Sequence, residues 1–181
     1  MRLLIFALAA LSGLSMAPSD AAEGTSRRFE GVWEACQSGR GERICQYYIL
    51  KQKNGRVCGL WHAFADHRDL DGRLIADAEG LASHVRFVCG RPGSETRKDC
   101  AGDAVPFTPS EWEPTDKPLL ICGNRLFDAL TGNGQSCADI GKAPGLPRVS
   151  QFAQPSVSES DRNWMKACLD DIAYPPPDIR K

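Results

Sequence analysis

The side chains of this 181-residue chain that could carry chemistry are eight cysteines, three histidines and a scatter of carboxylates. No two cysteines stand in a C-x-x-C pair, which argues against a zinc knuckle or a thioredoxin-like redox centre. His67 lies in Asp66-His67-Arg68-Asp69-Leu70-Asp71-Gly72, where His67, Asp69 and Asp71 alternate as weak candidates for a cation site. A calcium loop counted from His67 would need a bidentate glutamate at its twelfth position, and Ala78 stands there. The segment therefore reads as a solvated turn, with no metal. His62 falls among apolar neighbours and reads as a packed side chain, and His84 as an exposed strand residue. Glu111 and Glu113 flank Trp112 in a proline-bounded stretch. Carboxylates that cleave glycosides must face each other across a cleft, whereas neighbours on a turn face water. G-x-S-x-G, H-E-x-x-H, the P-loop and the dinucleotide glycine pattern are all absent. The reading is a non-enzymatic protein with no catalytic residue and no cofactor.

Cysteine then becomes a structural question, and compartment decides it. Residues 1–22 have the form of a secretory signal: Arg2, an apolar run from Leu3 to Met16, and small residues around a cut after Ala21 or Ala22. The run is too short for a stable membrane span. Export to a bacterial periplasm or to the medium favours disulfides. The formal net charge is −1, with no basic run, so nucleic acid and anionic membrane surfaces are poor partners. Residues 23–173 are expected to form one disulfide-rich domain, followed by a flexible proline-rich tail at 174–181.

The elements that must position these residues start from Asn54-Gly55, the strongest short hairpin signal, because a type I′ turn needs φ > 0 at both central residues. Counting outward pairs Lys53 with Arg56, Lys51 with Cys58, Ile49 with Leu60 and Tyr47 with His62 on one face. Leu50 then meets Gly59, and Tyr48 meets Trp61, on the other. Both faces are largely apolar, which predicts a ladder covered on both sides or rolled into a barrel. Cys45 and Cys58 share a face but stand about 20 Å apart along the strand at about 3.4 Å per residue. A bridge needs Cα atoms within about 7 Å, so the two belong to different disulfides.

A first strand is predicted at Phe29–Cys36, and further strands at Arg73–Ala78 and Leu81–Cys89. Leu81, Ser83, Val85, Phe87 and Cys89 should share one face of the last. From Asp103 to Pro118 the chain carries four prolines, which argues against a central strand. A short helical turn capped by Thr108 and ended by Pro114 is expected there. Leu119–Cys122 and Arg125–Leu130 form either a hairpin about Gly123-Asn124 or, for the second segment, a helix. Glu159–Ile172 is the one strong α-helix, with Ser158 as cap and Trp164, Met165, Cys168, Leu169 and Ile172 on one face.

Val88-Cys89-Gly90 and Ile121-Cys122-Gly123 are followed by Cys100-Ala101 and Cys137-Ala138, which suggests the pairs Cys89–Cys100 and Cys122–Cys137. Cys36 and Cys45 flank one loop and suit a third bridge, which leaves Cys58 for Cys168. In the loop-entropy view a ten-residue loop contributes about 2.6 kcal/mol and one of about 110 residues about 4.8 kcal/mol.

Gly31-Val32-Trp33 in the first strand, with a meander of hairpins and a C-terminal helix, resembles the lipocalin-like (calycin) exported β-barrels. That resemblance implies a barrel; members hold small apolar ligands, and similar bacterial barrels include lysozyme inhibitors. The fold class is thus mainly β: an antiparallel meander or barrel, disulfide-stapled, with one C-terminal α-helix. The leading functional expectation is an exported binding protein, an inhibitor or interaction module for another exported protein. Two alternatives are a carrier of a small apolar ligand inside the barrel, and a hydrolase using His67 or Glu111. Trp112, Trp61 and Tyr48 are the candidate contact residues, with Trp112 expected to be exposed.

Overall fold

The computed structural model describes residues 27–39, 42–65, 67–91, 95, 99–100, 112–128, 136–140, 143–150 and 156–170. The signal-like segment 1–22, Thr108, Glu111 and the tail at 174–181 lie outside them. Asn54 and Gly55 take φ of 50° and 80°, as a type I′ turn requires. They join β2 (Glu42–Lys53) to β3 (Arg56–Ala65) in the expected register, from Lys53 opposite Arg56 to Tyr47 opposite His62.

The sheet grows from that hairpin by neighbouring antiparallel pairs. β1 (Gly31–Gly39) lies on β2, and β4 (Arg68–Glu79) lies on β3. β5 (Ala82–Gly90), β6 (Glu113–Cys122), β7 (Arg125–Phe127) and β8 (Leu146–Pro147) follow in order. Beyond β8, Arg148 bridges Trp33, and the Val149 amide donates to the Val32 carbonyl at 2.8 Å. The eight-stranded meander is thereby nearly closed into a barrel.

Three local readings change. The polar stretch Arg68–Gly72 is the start of β4, not a turn, and the chain reverses at His67, whose φ is 63°. In β5 the pairing with β4 shifts: Ile75 meets Phe87, yet Ala76 meets Val85, so Arg86 is an extra residue. Such a bulge flips the alternation. Val85 therefore points into the barrel, while Phe87 and Cys89 point out of it. Finally, Pro114 and Pro118 sit inside β6, opposite Phe87 and His84. This is tolerated because β6 pairs with β7 only over Leu120–Cys122. Among the described residues its proline-bearing half has β5 as its single neighbour, which makes that half an edge where a missing N–H costs no ladder bond. Arg125–Phe127 is a strand, so the hairpin reading of that segment holds.

The alternation of β1–β4 sorts the core into two clusters. Inside lie Phe29, Trp33, Tyr48, Leu50, Val57, Leu74, Val85, Leu119, Leu126 and Leu146. Outside, Val32, Ile49, Cys58, Leu60, Ile75 and Phe87 are covered by Trp164, Met165 and Cys168 of α1 (Glu159–Asp170). Close coiling of β4 on β5 needs Gly72, where a Cβ would collide with the Cys89 carbonyl.

The seat of α1 is polar as well as apolar. Asp161 is only 6 % exposed. It accepts from Arg73 Nε at 3.1 Å, Arg91 Nη2 at 3.2 Å and Ser158 Oγ at 2.8 Å. Its amide donates to Ser158 Oγ at 3.0 Å, which is the N-cap bond. The Arg73 guanidinium also lies 5.1 Å from the centre of the Trp164 ring. The hub thus fixes the start of the helix on β4.

The four disulfides join Cys36–Cys45, Cys58–Cys168, Cys89–Cys100 and Cys122–Cys137. The second pins α1 to β3 across 110 residues, whereas the first spans 9. Replacing Cys58 and Cys168 together by alanine should lower stability by about 3–5 kcal/mol, and replacing Cys36 and Cys45 by about 2–3 kcal/mol. Urea unfolding of the two double variants checks the ranking; equal losses would show that loop entropy is not what the long bridge supplies.

Candidate functional site

The two ends of the barrel differ in what fills them. At one end the hairpin turns 54–55, 80–81 and 123–124 gather around the start of β1. Phe29 is fully buried there, and its amide donates to Gln52 Oε1 at 3.0 Å. Trp33 Nε1 donates to the Phe29 carbonyl at 3.0 Å. The Arg148 guanidinium stacks on the Trp33 ring at 4.5 Å. Leu50, Val57, Leu74 and Leu126 fill the layer above. This end is sealed by side chains, with Trp33 Nε1 and Gln52 Oε1 matched and the buried Ser83 Oγ left without a hydrogen-bond partner among the described residues.

The other end is lined by smaller residues. Alternation from the central register turns Ala35, Ile44, Gln46, Tyr48, Trp61, Ala63 and Leu70 toward the interior. Ala35, Gln46, Trp61 and Leu70 are only half-buried, although they face inward, and Ile44 is exposed at the rim. Ala63, nearer the rim than Trp61, is nevertheless 1 % exposed, so solvent touches only part of this lining. Trp61 is held in place by donating its Nε1 hydrogen to the Arg73 carbonyl at 3.2 Å.

Beside Trp61 sits a buried polar group. Tyr48 donates its hydroxyl to Asp128, in a short hydrogen bond, and Gln46 Nε2 donates to the same carboxylate oxygen at 2.8 Å. Asp128 follows β7 directly and is 5 % exposed. Burial, and secondarily the adjacent Asp128 carboxylate, push the Tyr48 phenol well above its ordinary range. The open end thus combines an aromatic wall, a small apolar floor and a carboxylate with fixed hydrogen bonds.

Of the candidate contact residues, Tyr48 and Trp61 are brought together on the interior face, directly opposite each other. Trp112 is not exposed: it is 5 % accessible and stacks on Trp164, with ring centres 5.7 Å apart, outside the barrel. The reason is that α1 crosses the outer face and leaves an apolar margin that the chain entering β6 covers. Trp112 is a core residue of that seam.

The weak metal candidates do not converge. His67 is exposed in its turn, Asp69 lies 3.4 Å from His62 Nδ1, and Asp71 pairs with Arg91 at 3.4 Å. Among the described residues the one group of potential ligands close enough to hold an ion is Glu34 with Cys36 and Cys45. Both sulfurs there are spent in a disulfide. Two central residues, Asp128 and Gln46, were not singled out by sequence. Gln46 was legible as the inward neighbour of Tyr48 in register, but Asp128 meets Tyr48 across 80 residues with no local pattern to mark it.

Compared with known proteins, the chain matches no family model, no curated protein and no solved structure. The site has to be interpreted from its own geometry.

Tyr48 has a measurable signature. Below the ordinary phenol value of about 10 both the folded and the unfolded chain keep the proton. Above it the unfolded chain releases the proton first, so stability falls as pH climbs toward the raised folded value. In a phenolate absorbance titration, one of the three tyrosines should ionise only with unfolding, and Tyr48→Phe should remove that late step. A wild-type and a Tyr48→Phe curve that both complete near pH 10 in the folded state would contradict the burial argument.

Proposed function

We propose that this is an exported, non-enzymatic binding protein whose open barrel end takes a small molecule. The observation that carries the reading is the partial exposure of inward-facing Ala35, Gln46, Trp61 and Leu70 above a filled core. A ligand site is concave, mostly apolar and supplied with a few placed polar groups. Trp61 and Leu70 offer the apolar wall, while Gln46, anchored by its amide to the buried Asp128, offers the polar contact. The preferred ligand has a flat apolar body and a hydrogen-bond-donating head. The calycin-like resemblance of Gly31-Val32-Trp33 is in keeping with this, since Trp33 seals the opposite end. The four disulfides, and the fact that no described helix is long and apolar enough to cross a membrane, are compatible with export.

A second reading, an inhibitor of another exported protein, draws on Phe64 and Ile44. These are 42 % and 36 % exposed at the same end, close to the loop stapled by Cys36–Cys45. A stapled loop loses little entropy when it docks. Under this reading Phe64→Ser should abolish capture of the partner without touching small-molecule binding.

The small-molecule reading is tested with 1-aminoanthracene, whose fluorescence rises in an apolar site. Ala35→Trp fills the open end without disturbing the core beneath it and should weaken binding about tenfold or more, as loss of a buried contact surface of this size implies. Trp61→Ala should also weaken it. Saturable binding that is unchanged in both variants, or none at all in the wild type, would refute the site.

A further inference from the structure

The sealed end of the barrel carries a second concavity on its outer side. It has a volume of about 350 Å³ and is lined by Arg27, Arg28, Trp33, Ile121, Gly123, Asn124 and Arg148. Three arginines from two distant segments line it. Arg27 and Arg28 come from the turn that precedes β1, and Arg148 from the end of β8. From these features we infer that this concavity is a binding site for a small organic polyanion, one bearing phosphate or carboxylate groups. It lies at the opposite end from the open mouth and does not depend on the reading given for that mouth.

Arg148 is preorganised for such a role. Its guanidinium lies flat on Trp33, and Nη2 donates to the Arg28 carbonyl at 2.8 Å. Gly31, at φ 139°, leaves room for it: a Cβ there would stand 3.2 Å from Arg148 Nε. A stacked, bonded guanidinium has little rotamer freedom left to lose when a ligand arrives. The same bond, to the Arg28 backbone carbonyl, ties the turn that carries Arg27 and Arg28 to the end of β8.

The charge at this site is also uncancelled. Arg43, Arg68, Arg73, Arg86 and Arg91 each sit against a carboxylate. Among the described residues, Arg27, Arg28 and Arg148 pair with none. Arg125 and Arg162 also bond backbone carbonyls rather than carboxylates, but this concavity gathers three arginines without a carboxylate partner among the described residues, in a chain of formal net charge −1. Planar guanidinium groups match the two-oxygen edge of a phosphate or carboxylate. The volume exceeds what one inorganic phosphate fills, and Ile121 with the Gly123-Asn124 turn supplies a neutral wall for an organic body.

Calorimetric titration of the purified, disulfide-bonded protein with pyrophosphate and, separately, with citrate tests the inference at low ionic strength. Saturable binding of either is expected, weakening as salt is added. Binding of pyrophosphate alone assigns phosphate groups; binding of citrate assigns carboxylates or polyanions in general. Arg27→Gln with Arg28→Gln should weaken that binding about tenfold or more. Both side chains are exposed, so the double variant should keep its melting temperature. Arg148→Lys retains the charge but loses the planar fork, and it should weaken binding as well. Failure of both anions to bind the wild type, or an affinity unchanged in the Arg27→Gln, Arg28→Gln protein, overturns the proposal.

Discussion

The barrel closes on one indole. β7 and β8 are three and two residues long, too short to complete a wall by ladder bonds alone. Closure instead converges on Trp33, which is 2 % exposed. Its ring nitrogen holds the chain entering β1, its face carries Arg148 from beyond β8, and its backbone forms the last bridge. Phe29 and Gln52 complete the plug. The plug is matched at Trp33 Nε1 and Gln52 Oε1, while Ser83 Oγ beside the 80–81 turn is buried without a partner among the described residues.

The outer face solves a different problem. A sheet rolled from strands that are apolar on both sides leaves a second hydrophobic surface, which α1 covers with Trp112 at its margin. A single amphipathic helix of 12 residues has little stability of its own. It is fixed at its start by Asp161 and near its end by Cys168, with Arg56 donating to the Cys168 carbonyl at 2.9 Å. Buried ion pairs are weak sources of net stability but strong sources of register. Asp161 sets where on the sheet the helix begins, and the disulfide keeps it from leaving.

Much of this architecture was readable in the sequence where a local rule fixed a count. Asn54-Gly55 determined the register of β2 and β3, and that register separated Cys45 from Cys58 and placed Tyr48 beside Trp61. Ser158 and the spacing of Trp164, Met165 and Cys168 marked the helix. What escaped were features decided by neighbours. The extra residue at Arg86 has no glycine or proline to mark it; it is set by how β4 and β6 meet β5. The prolines of β6 looked incompatible with a strand because sequence does not show which half of a strand lies on an edge. Trp112 in a charged stretch looked exposed because the apolar partner that buries it, Trp164, lies 52 positions on in the chain. Asp128 became central through a contact equally remote from its position.

The same prolines have a bearing on how the molecule behaves at high concentration. Among the described residues the first half of β6 has no second strand beside it, and a bare strand flank is the kind of surface on which sheets of separate molecules join. Pro114 and Pro118 supply no N–H for such a junction, and the exposed Asp116 and Lys117 between them would have to be stripped of water to form it. The prolines thereby disfavour the addition of a strand from a second copy on this flank. Segregation from like molecules is thus favoured by the backbone itself, through two residues that have no N–H to give.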